Sequence, residues 1–410
     1  MSALSSARDA DDPLAALRAQ FQLPGDLVYL DGNSLGALPL AVKEAVRDVV
    51  EHQWGEDLIS SWNKHDWIRL PMIVGERIAA LIGAAPGQVL CTDSISVNLF
   101  KLLATALDLN APRRVILAVE EDFPTDTYIA QGLVELLGDA RCELRRVPAS
   151  EISAALNDEV AVLMLTEVSY RSGERHDMQS LTEAAHAAGA LMLWDLAHSA
   201  GVIPMALDAW DVDMAVGCGY KYLNGGPGAP AFLYVNKRHH GRASQPLSGW
   251  LGHRNPFAFS PDYAAGDGVL RYQAGTPPIV SMVALNAALD MFDQVSVEQI
   301  RTKSIALTEY FLQGLESRPL LQSLVCLTPR DASRRGSQVS VAHEHAWGLS
   351  QALIEAGVIV DFRAPDILRF GFAPLYNRFA DAEKALDILA RVMAEERYLE
   401  DRFATRPAVT

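Results

Sequence analysis

The chain has 410 residues, a formal net charge of −16 from 35 Lys and Arg against 51 Asp and Glu, and 50% hydrophobic residues. This composition is typical of a globular protein of about two or three domains and excludes a disordered or fibrous one. The acidic balance also argues against a nucleic acid partner, because binding to a phosphate backbone depends on clustered Lys and Arg.

The first twenty residues contain no apolar stretch flanked by basic residues, so we expect neither a signal peptide nor a transit peptide. Apolar runs such as residues 161–165 and 189–194 are too short to span a bilayer, so no membrane partner is expected. The four cysteines are scattered without CxxC spacing, which is typical of buried thiols in a reducing compartment. These features together predict a cytoplasmic protein.

Short apolar runs alternate with amphipathic segments through the middle of the chain, which predicts an α/β domain with a mostly parallel central sheet. A helix is predicted over residues 41–50, near the start of the chain. Another is predicted over residues 178–188, where apolar residues recur at three and four positions. The predicted buried strands are residues 88–91, 114–119, 161–165, 191–194, 214–217 and 231–235.

From about residue 279 the pattern changes to long helical stretches, which are broken at residues 317–319. Two short apolar segments, 338–341 and 358–362, precede a predicted helix over residues 381–396. We therefore expect the two chain ends to form a smaller α+β domain. The predicted division is an N-terminal segment (1–60) that packs with the small domain, a large α/β domain (61–309) and a C-terminal small domain (310–410).

Lys221 lies in the segment GCGYKYLNGGPG (217–228), directly after a predicted buried strand. A lone loop lysine is most often a solvated surface residue. Here the glycines allow the backbone to approach a bound group closely, and small and aromatic residues surround the amine. A desolvated lysine has a lowered pKa and becomes a nucleophile that can form an imine.

Asp195 ends another predicted strand in the segment LMLWDLAH (191–198), three residues before His198. An aspartate at this position is equally typical of a helix cap. Ligand sites in open α/β sheets, however, form at the carboxyl ends of strands. A carboxylate there is able to hold a proton on a pyridine nitrogen, which makes pyridoxal phosphate (PLP) an electron sink.

Two further segments are candidates for a cofactor pocket. The segment TDSISVN (92–98) follows a strand and opens a helix, so its hydroxyl and backbone N–H groups are able to bind a phosphate, although helix capping explains them nearly as well. Phe123, in FPTD (123–126), is placed to stack on a cofactor ring, although a core position is the commoner fate of a phenylalanine.

Together these segments resemble the fold-type I PLP enzymes of the class V aminotransferase group, and within it the chain is identified as a member of the kynureninase family. The matching stretches run over most of the chain in the family's order. They are YLDGNSLG (29–36), SVNL (96–99), FPTD (123–126), DLAH (195–198), GYKYLNGGPG (219–228), GWLGH (249–253), QAGTPP (273–278) and LRFGFAPLYN (368–377). The resemblance implies hydrolysis of the Cβ–Cγ bond of L-kynurenine, or of its 3-hydroxy derivative, to anthranilate (or 3-hydroxyanthranilate) and L-alanine in tryptophan catabolism.

The resemblance also implies residue roles. The implied catalytic residues are Lys221, which holds PLP covalently, Asp195, which pairs with its ring nitrogen, and Tyr220, a proton carrier whose phenol we expect to be tuned toward neutral pH. The implied cofactor-binding residues are Ile95, Ser96, Phe123, Asp126, Thr166, Asp195, His198, Tyr220, Lys221, Trp250 and Thr276. The implied substrate-binding residues are Arg369, which would clamp the α-carboxylate, and Ser34, Trp62 and His253. Family members are homodimers, and Trp250 and Thr276 are the residues expected to come from the partner subunit.

Other functions have weaker support in the sequence. Residues 32–36 (GNSLG) fit the G-x-S-x-G pattern of a serine hydrolase, but Ser34 lies near the N-terminus and Pro39 follows closely. A cysteine desulfurase or aminotransferase of the same fold is the nearer alternative, although Cys326 lacks the glycine-rich loop expected of a sulfur acceptor. A non-catalytic binding protein would bury Lys, Asp and Arg at a desolvation cost without purpose.

A metal site is not expected, because the chain has no H-E-x-x-H motif and no clustered Cys and His. The adjacent His239 and His240 are interpreted as solvated loop residues.

Overall fold

The computed structural model describes residues 3–403. The strands in this range are β1 (Phe21–Gln22), β2 (Val28–Tyr29), β3 (Leu38–Pro39), β4 (Val89–Cys91), β5 (Val115–Val119), β6 (Glu143–Val147), β7 (Val160–Thr166), β8 (Leu191–Asp195), β9 (Met214–Cys218), β10 (Ala231–Val235), β11 (Val325–Cys326), β12 (Gln338–Ala342), β13 (Val358–Ile359), β14 (Asp361–Arg363) and β15 (Ile367–Gly371). The α-helices in the same range are α1 (Ala3–Ala10), α2 (Leu40–Asp48), α3 (Ser61–Lys64), α4 (Leu70–Leu81), α5 (Ile95–Leu109), α6 (Pro124–Leu137), α7 (Ile152–Ala155), α8 (Met178–Ala187), α9 (Ile279–Ala288), α10 (Val297–Ser317), α11 (Ala346–Glu355) and α12 (Phe379–Ala394). None of these helices has the length and apolar character that a membrane crossing requires.

The central sheet has seven strands in the order β4-β10-β9-β8-β7-β5-β6, and only β10 runs antiparallel to its neighbours. The inner strands β5, β7 and β9 have every residue buried, as expected for parallel strands covered on both faces. The α/β fold with a mostly parallel sheet is therefore confirmed. The six predicted strands are present with ends shifted by at most one residue. The edge strand β6 was not predicted, because its sequence ELRRV is half-exposed and carries three charged residues.

Two apolar cores cover the two faces of this sheet. Alternate residues of β5 point in opposite directions, so that Leu117 joins one core and Ile116 joins the other. Helices α4, α8 and α9 pack on the first face, and α5 and α6 pack on the second. The predicted helix over residues 178–188 is present as α8.

The small domain contains an antiparallel sheet in the order β11-β12-β15-β14, packed against α10, α11 and α12. Val28 and Leu30 from the N-terminal segment belong to the same core, and β2 pairs in parallel with β13. The N-terminal segment and the C-terminal part of the chain therefore pack together. Helix α10 runs unbroken through residue 309, and the domain boundaries at residues 60 and 309 stay a prediction.

The turn after β2 connects the small domain to the lysine loop of the large domain. The backbone N–H of Gly36 donates to the carbonyl oxygen of Tyr220 at 2.8 Å. The backbone of Asp31 forms an isolated parallel β-bridge with Gly371. A side chain at position 36 has no room, because its Cβ would collide with the backbone oxygen of Lys221. This close approach gives a physical reason for a glycine at the end of the segment GNSLG.

Candidate active site

The floor of a cavity of about 280 Å³ is formed where parallel strands of the central sheet end. Thr166 and Asp195 are register partners at the carboxyl ends of β7 and β8, so their side chains reach the same edge. Asp126, in the first turn of α6, approaches them, and the hydroxyl of Thr166 donates to its Oδ2 at 3.4 Å. All three residues line the cavity and are buried.

The buried carboxyl groups have perturbed acidity. Burial raises the pKa of Asp195, while the positive charge of Lys221 acts in the opposite direction. Burial also raises the pKa of Asp126 well above its ordinary value, and the charges of Asp195 and Asp122 add to this effect. Oδ1 of Asp195 accepts a hydrogen bond from the backbone N–H of Ala197 at 2.7 Å. Two acidic groups in such a place favour a cationic or N–H-bearing partner.

Lys221 lies in the loop that follows β9 and reaches the same cavity. Its Nζ is 3.2 Å from Nε2 of His198. Burial lowers the pKa of His198 well below its ordinary value, and the charge of Lys221 lowers it further. The imidazole is therefore neutral, and its Nε2 lies within hydrogen-bond distance of the lysine amine.

Tyr220 also lines the cavity, next to Lys221. Its pKa is raised rather than lowered, first by burial and then by the neighbouring Cys218 and Asp195. This corrects the expected tuning toward neutral pH, because desolvation of the phenolate outweighs the nearby positive charge. The phenol is protonated at neutral pH and acts as a hydrogen-bond donor.

The N-terminus of α5 forms one wall through Ser94, Ile95 and Ser96. Ser94 caps the helix, and its Oγ accepts from the backbone N–H of Val97 at 3.4 Å. The remaining first-turn N–H groups have no partner within the helix, and they make this end a site for an anion such as a phosphate. Phe123 stands beside it at the start of α6, with its ring edge-on to Tyr170 at 5.2 Å.

The opposite wall comes from the hairpin of β14 and β15, where Asp361 and Arg369 are register partners. Nε of Arg369 donates to Oδ1 of Asp361 at 2.6 Å, and its Nη2 contacts Oδ2 of the same carboxylate. Arg369 also donates from Nη1 to the Tyr170 carbonyl at 2.8 Å and from Nη2 to Ser34 Oγ at 3.0 Å. The guanidinium is thus held rigidly at the cavity, with 1% of its side chain exposed.

Most of the site residues predicted from the sequence lie together in this cavity. They are Ser34, Ile95, Ser96, Phe123, Asp126, Thr166, Asp195, His198, Tyr220, Lys221 and Arg369.

Four others lie outside the cavity lining within residues 3–403: Trp62, Trp250, His253 and Thr276. The ring of Trp62 packs edge-on against Trp67 at 5.8 Å. Trp250 is exposed and donates from Nε1 to the Pro256 carbonyl at 2.6 Å, while Thr276 is exposed. His253 is held in its own loop, where Nδ1 accepts from the backbone N–H of Asn255 at 2.9 Å.

Among the residues that line the cavity, Asn33, Tyr170 and Arg363 carry polar side chains to which the sequence analysis gave no role. For Arg363 a signal was present, because Asp361 and Arg363 alternate in a strand and so point to the same side as the paired Arg369. It was not recognised because the segment 358–362 was treated as apolar and β15 was not predicted.

The alternative chemistries are not favoured by the geometry. Ser34 lies in a turn rather than on a strand–helix elbow, and its Oγ donates to Oδ2 of Asp361 at 2.6 Å. Cys326 lies in β11, paired with β12. Within residues 3–403 no group of three or more His, Cys, Asp and Glu is arranged to hold a metal ion.

The prediction that His239 is solvated is wrong. The residue is buried, and its Nε2 lies 2.7 Å from Oδ1 of Asp213.

The residues present fit PLP. Oδ1 of Asp126 is buried at the cavity and accepts no hydrogen bond from any residue that the structure describes. Burial raises the pKa of Asp195 in spite of the charge of Lys221, which favours a further positive partner at this carboxyl. A protonated pyridine nitrogen supplies the missing partner, and the N-terminus of α5 suits a phosphate.

Comparison with known proteins agrees with this fit. The model of the family "Kynureninase C-terminal domain" matches residues 300–389. The kynureninase of Burkholderia pseudomallei (strain 1106a) is 52% identical over 409 residues, covering 98% of each chain. That of Deinococcus radiodurans is 50% identical over 394 residues, covering 95% of each chain.

Among solved structures, the cysteine desulfurase of Thermococcus onnurineus NA1 superposes with a TM-score of 0.77 at 19% identity, over 93% of this chain and 98% of that one. A C-DES mutant with glycine covalently linked to its PLP cofactor has a TM-score of 0.78 at 19% identity, over 91% and 98%. At such low identity these structures establish the fold alone. Because relatives that share half of their residues with this protein match it almost from end to end, the chain belongs to the kynureninase family, the PLP-dependent hydrolases of L-kynurenine.

Proposed function

We propose that the cavity between the central sheet and the β14–β15 hairpin is where this kynureninase-family enzyme hydrolyses L-kynurenine to anthranilate and L-alanine. The observation that carries the proposal is the placement of Lys221, Asp195 and Arg369 around one cavity. Asp195 and Arg369 come from two different sheets and Lys221 from the loop after β9, and together they supply a carboxylate, a guanidinium and an amine. An α-amino acid bound to PLP needs all three.

We propose that the cofactor is held at the large-domain side. The N-terminus of α5, with Ile95 and Ser96, would bind the phosphate, together with Tyr220, whose protonated phenol would donate a hydrogen bond. Asp126 would lie beside Asp195 at the ring nitrogen. Asp195 would pair with the ring nitrogen, Phe123 would pack against the ring, and Lys221 would hold the cofactor covalently. Thr166 and His198 line the other edge.

When bound, PLP acts as the electron sink that stabilises negative charge on the substrate carbon. Asp195 keeps the ring nitrogen protonated, which that role requires. With PLP bound, Lys221 would be the base that takes the proton from the substrate Cα. The neutral His198 accepts a hydrogen bond from Lys221 and so orients its Nζ. Arg369 binds the α-carboxylate, with Ser34 beside it.

We also propose a homodimer in which Trp250 and Thr276 of each subunit complete the phosphate site of the other. Both side chains are exposed and lie outside the cavity of their own chain within the described residues. We propose Trp62 and His253 as further substrate-binding residues. We also propose 3-hydroxykynurenine as a second substrate of the same class. A cytoplasmic location stays a prediction from the sequence.

The direct test of the proposal is Lys221→Ala. We expect loss of L-kynurenine hydrolysis and of the visible absorbance of covalently held PLP, with an unchanged far-UV circular dichroism spectrum, because the role of Lys221 is covalent chemistry. The matched control is Lys237→Ala, which removes an exposed lysine after β10. Near-normal turnover by Lys221→Ala would remove this residue from the mechanism.

A further inference from the structure

The donors of Arg369 are nearly all engaged. A guanidinium has five N–H groups. In Arg369, Nε and Nη2 bind Asp361, Nη2 also donates to Ser34, and Nη1 donates to the Tyr170 carbonyl. Counting partners within residues 3–403, one N–H group, on Nη1, is left for a ligand. A carboxylate bound through two hydrogen bonds therefore needs a second donor.

Arg363 is placed to supply that donor. It lines the same cavity and lies two residues after Asp361 on β14, on the face that also carries Arg369. Its Nη2 is 2.9 Å from Oδ2 of Asp361 and 3.4 Å from Oγ of Ser34. About a third of its side chain, 33%, is exposed, against 1% for Arg369. Its Nη1 also donates to the Phe362 carbonyl at 3.1 Å, so Nε and the second N–H group of Nη1 are the donors left for a ligand, counting partners within residues 3–403.

The side chains of this wall carry a net positive charge, which favours binding of an anion. Burial opposes ionisation of Asp361, but the hydrogen bonds and charge of Arg369 hold its pKa below the ordinary value, so it is ionised. One carboxylate then faces two guanidinium groups, which leaves a single uncompensated positive charge. Asp31 offsets little of it below neutral pH, because burial and then the charge of Asp361 raise its pKa to about 7.

We propose that Arg363 is a second substrate-binding residue, which shares the α-carboxylate of the amino acid with Arg369. The inference rests on the proposed function, because that function places an α-amino acid in this cavity. In this arrangement Asp361 and Ser34 hold the two guanidinium groups side by side, and each arginine donates one charge-assisted hydrogen bond. Arg369 supplies the rigid contact, and the more exposed Arg363 supplies the contact nearer to the cavity mouth.

The test compares ligands with and without the carboxylate. In Arg363→Gln we expect KM for L-kynurenine to rise about tenfold or more, since a charge-assisted hydrogen bond is lost. The inhibition constant of kynurenamine, the amine that lacks the carboxylate, should stay within about twofold of the wild-type value. The dissociation constant of L-alanine, measured by titration calorimetry, should rise in parallel with KM.

The matched control is Arg145→Gln on β6, an ion-paired arginine outside the cavity with 28% of its side chain exposed. It should leave all three constants unchanged. If Arg363→Gln loses PLP or thermal stability, Arg363→Lys retains the charge facing Asp361 and allows the same comparison.

Equal changes for kynurenamine and L-kynurenine, or no change for either, would overturn the role of Arg363. Failure of the wild-type enzyme to hydrolyse L-kynurenine would instead contradict the proposed function. The L-alanine titration separates the two cases, because it requires no turnover.

Discussion

Asp195 carries a buried carboxyl group whose proposed chemical role depends on that burial. Its carboxyl is buried at the end of β8, next to the equally buried Asp126, and the charge of Lys221 is what opposes the rise in its pKa. A carboxylate in such a place is costly to the fold unless a positive group compensates it. The ring nitrogen of PLP is that group in the proposed site.

We predict that Asp195→Asn binds PLP but loses activity. The amide retains the shape and one acceptor, but it does not stabilise a proton on the ring nitrogen. The loss of several kcal/mol of transition-state stabilisation corresponds to a fall in kcat of about 10³-fold or more. Steady-state kinetics and the PLP content of the purified variant check this.

The matched control is Asp122→Asn, a neighbouring buried acid whose pKa burial raises to about 7 and which does not line the cavity. It should retain most of its kcat. If Asp195→Asn also retained most of its kcat, the pairing with the ring nitrogen would be wrong.

The hairpin of β14 and β15 forms the wall of the cavity that carries Arg363 and Arg369. Its register places Asp361 opposite Arg369, and the two-residue period places Arg363 on the same face. The carbonyl of Tyr170, from the large domain, receives a hydrogen bond from Arg369. The hairpin therefore contacts the large domain through a guanidinium that lines the cavity.

We predict that Arg369→Lys lowers kcat/KM by about 10–150-fold, because lysine supplies the charge without the paired geometry. Thermal stability should also fall, since one ammonium group cannot replace both hydrogen bonds to the buried Asp361. PLP content should hardly change, because the cofactor is held by other residues. A fall in the thermal midpoint with unchanged kinetics of the folded fraction would rule out the carboxylate clamp.

At the scale of the whole molecule, two surface segments expose large apolar side chains. Trp54, Leu58 and Ile59 lie in one segment, where Ile59 is 80% exposed. Trp250, Phe257 and Phe259 pack their rings together in the other, where Phe259 is 74% exposed. Exposed apolar clusters of this kind are typical of subunit interfaces. They support the proposed homodimer.

We predict that two inactive variants restore activity when their subunits are mixed. One is Lys221→Ala, and the other is the double variant Trp250→Ala/Thr276→Val. If each site takes Lys221 from one subunit and Trp250 and Thr276 from the other, a hybrid dimer contains one intact site. Statistical mixing then gives about a quarter of the wild-type activity, since half of the dimers are hybrids.

Activity after mixing through mild denaturation, with sedimentation velocity to confirm the dimer, checks this prediction. Mixtures of each variant with itself are the controls. No recovery in a sample shown to contain hybrid dimers would place both residues in the site of their own chain.

The sequence by itself determined the large-domain half of the site. Runs such as 161–165 are apolar on both faces, and a parallel sheet brings the ends of such strands to one edge. Asp195 and Lys221 follow two of these strands, so their proximity follows from local pattern and fold class alone. The segments GNSLG and RFGFAPLYN then identified the kynureninase family. The relatives at 52% and 50% identity agree with that assignment.

Only the tertiary structure decided the other half. The partners of Arg369 are Ser34, Tyr170 and Asp361, which lie far apart in the chain or across a hairpin whose second strand no pattern predicted. The direction of the Tyr220 shift likewise depends on how deeply the phenol is buried, which its neighbours in sequence do not specify. Periodic side-chain patterns in the sequence predict where strands end to within a few residues. Donor counts, charge balance and desolvation depend instead on groups that only folding brings together.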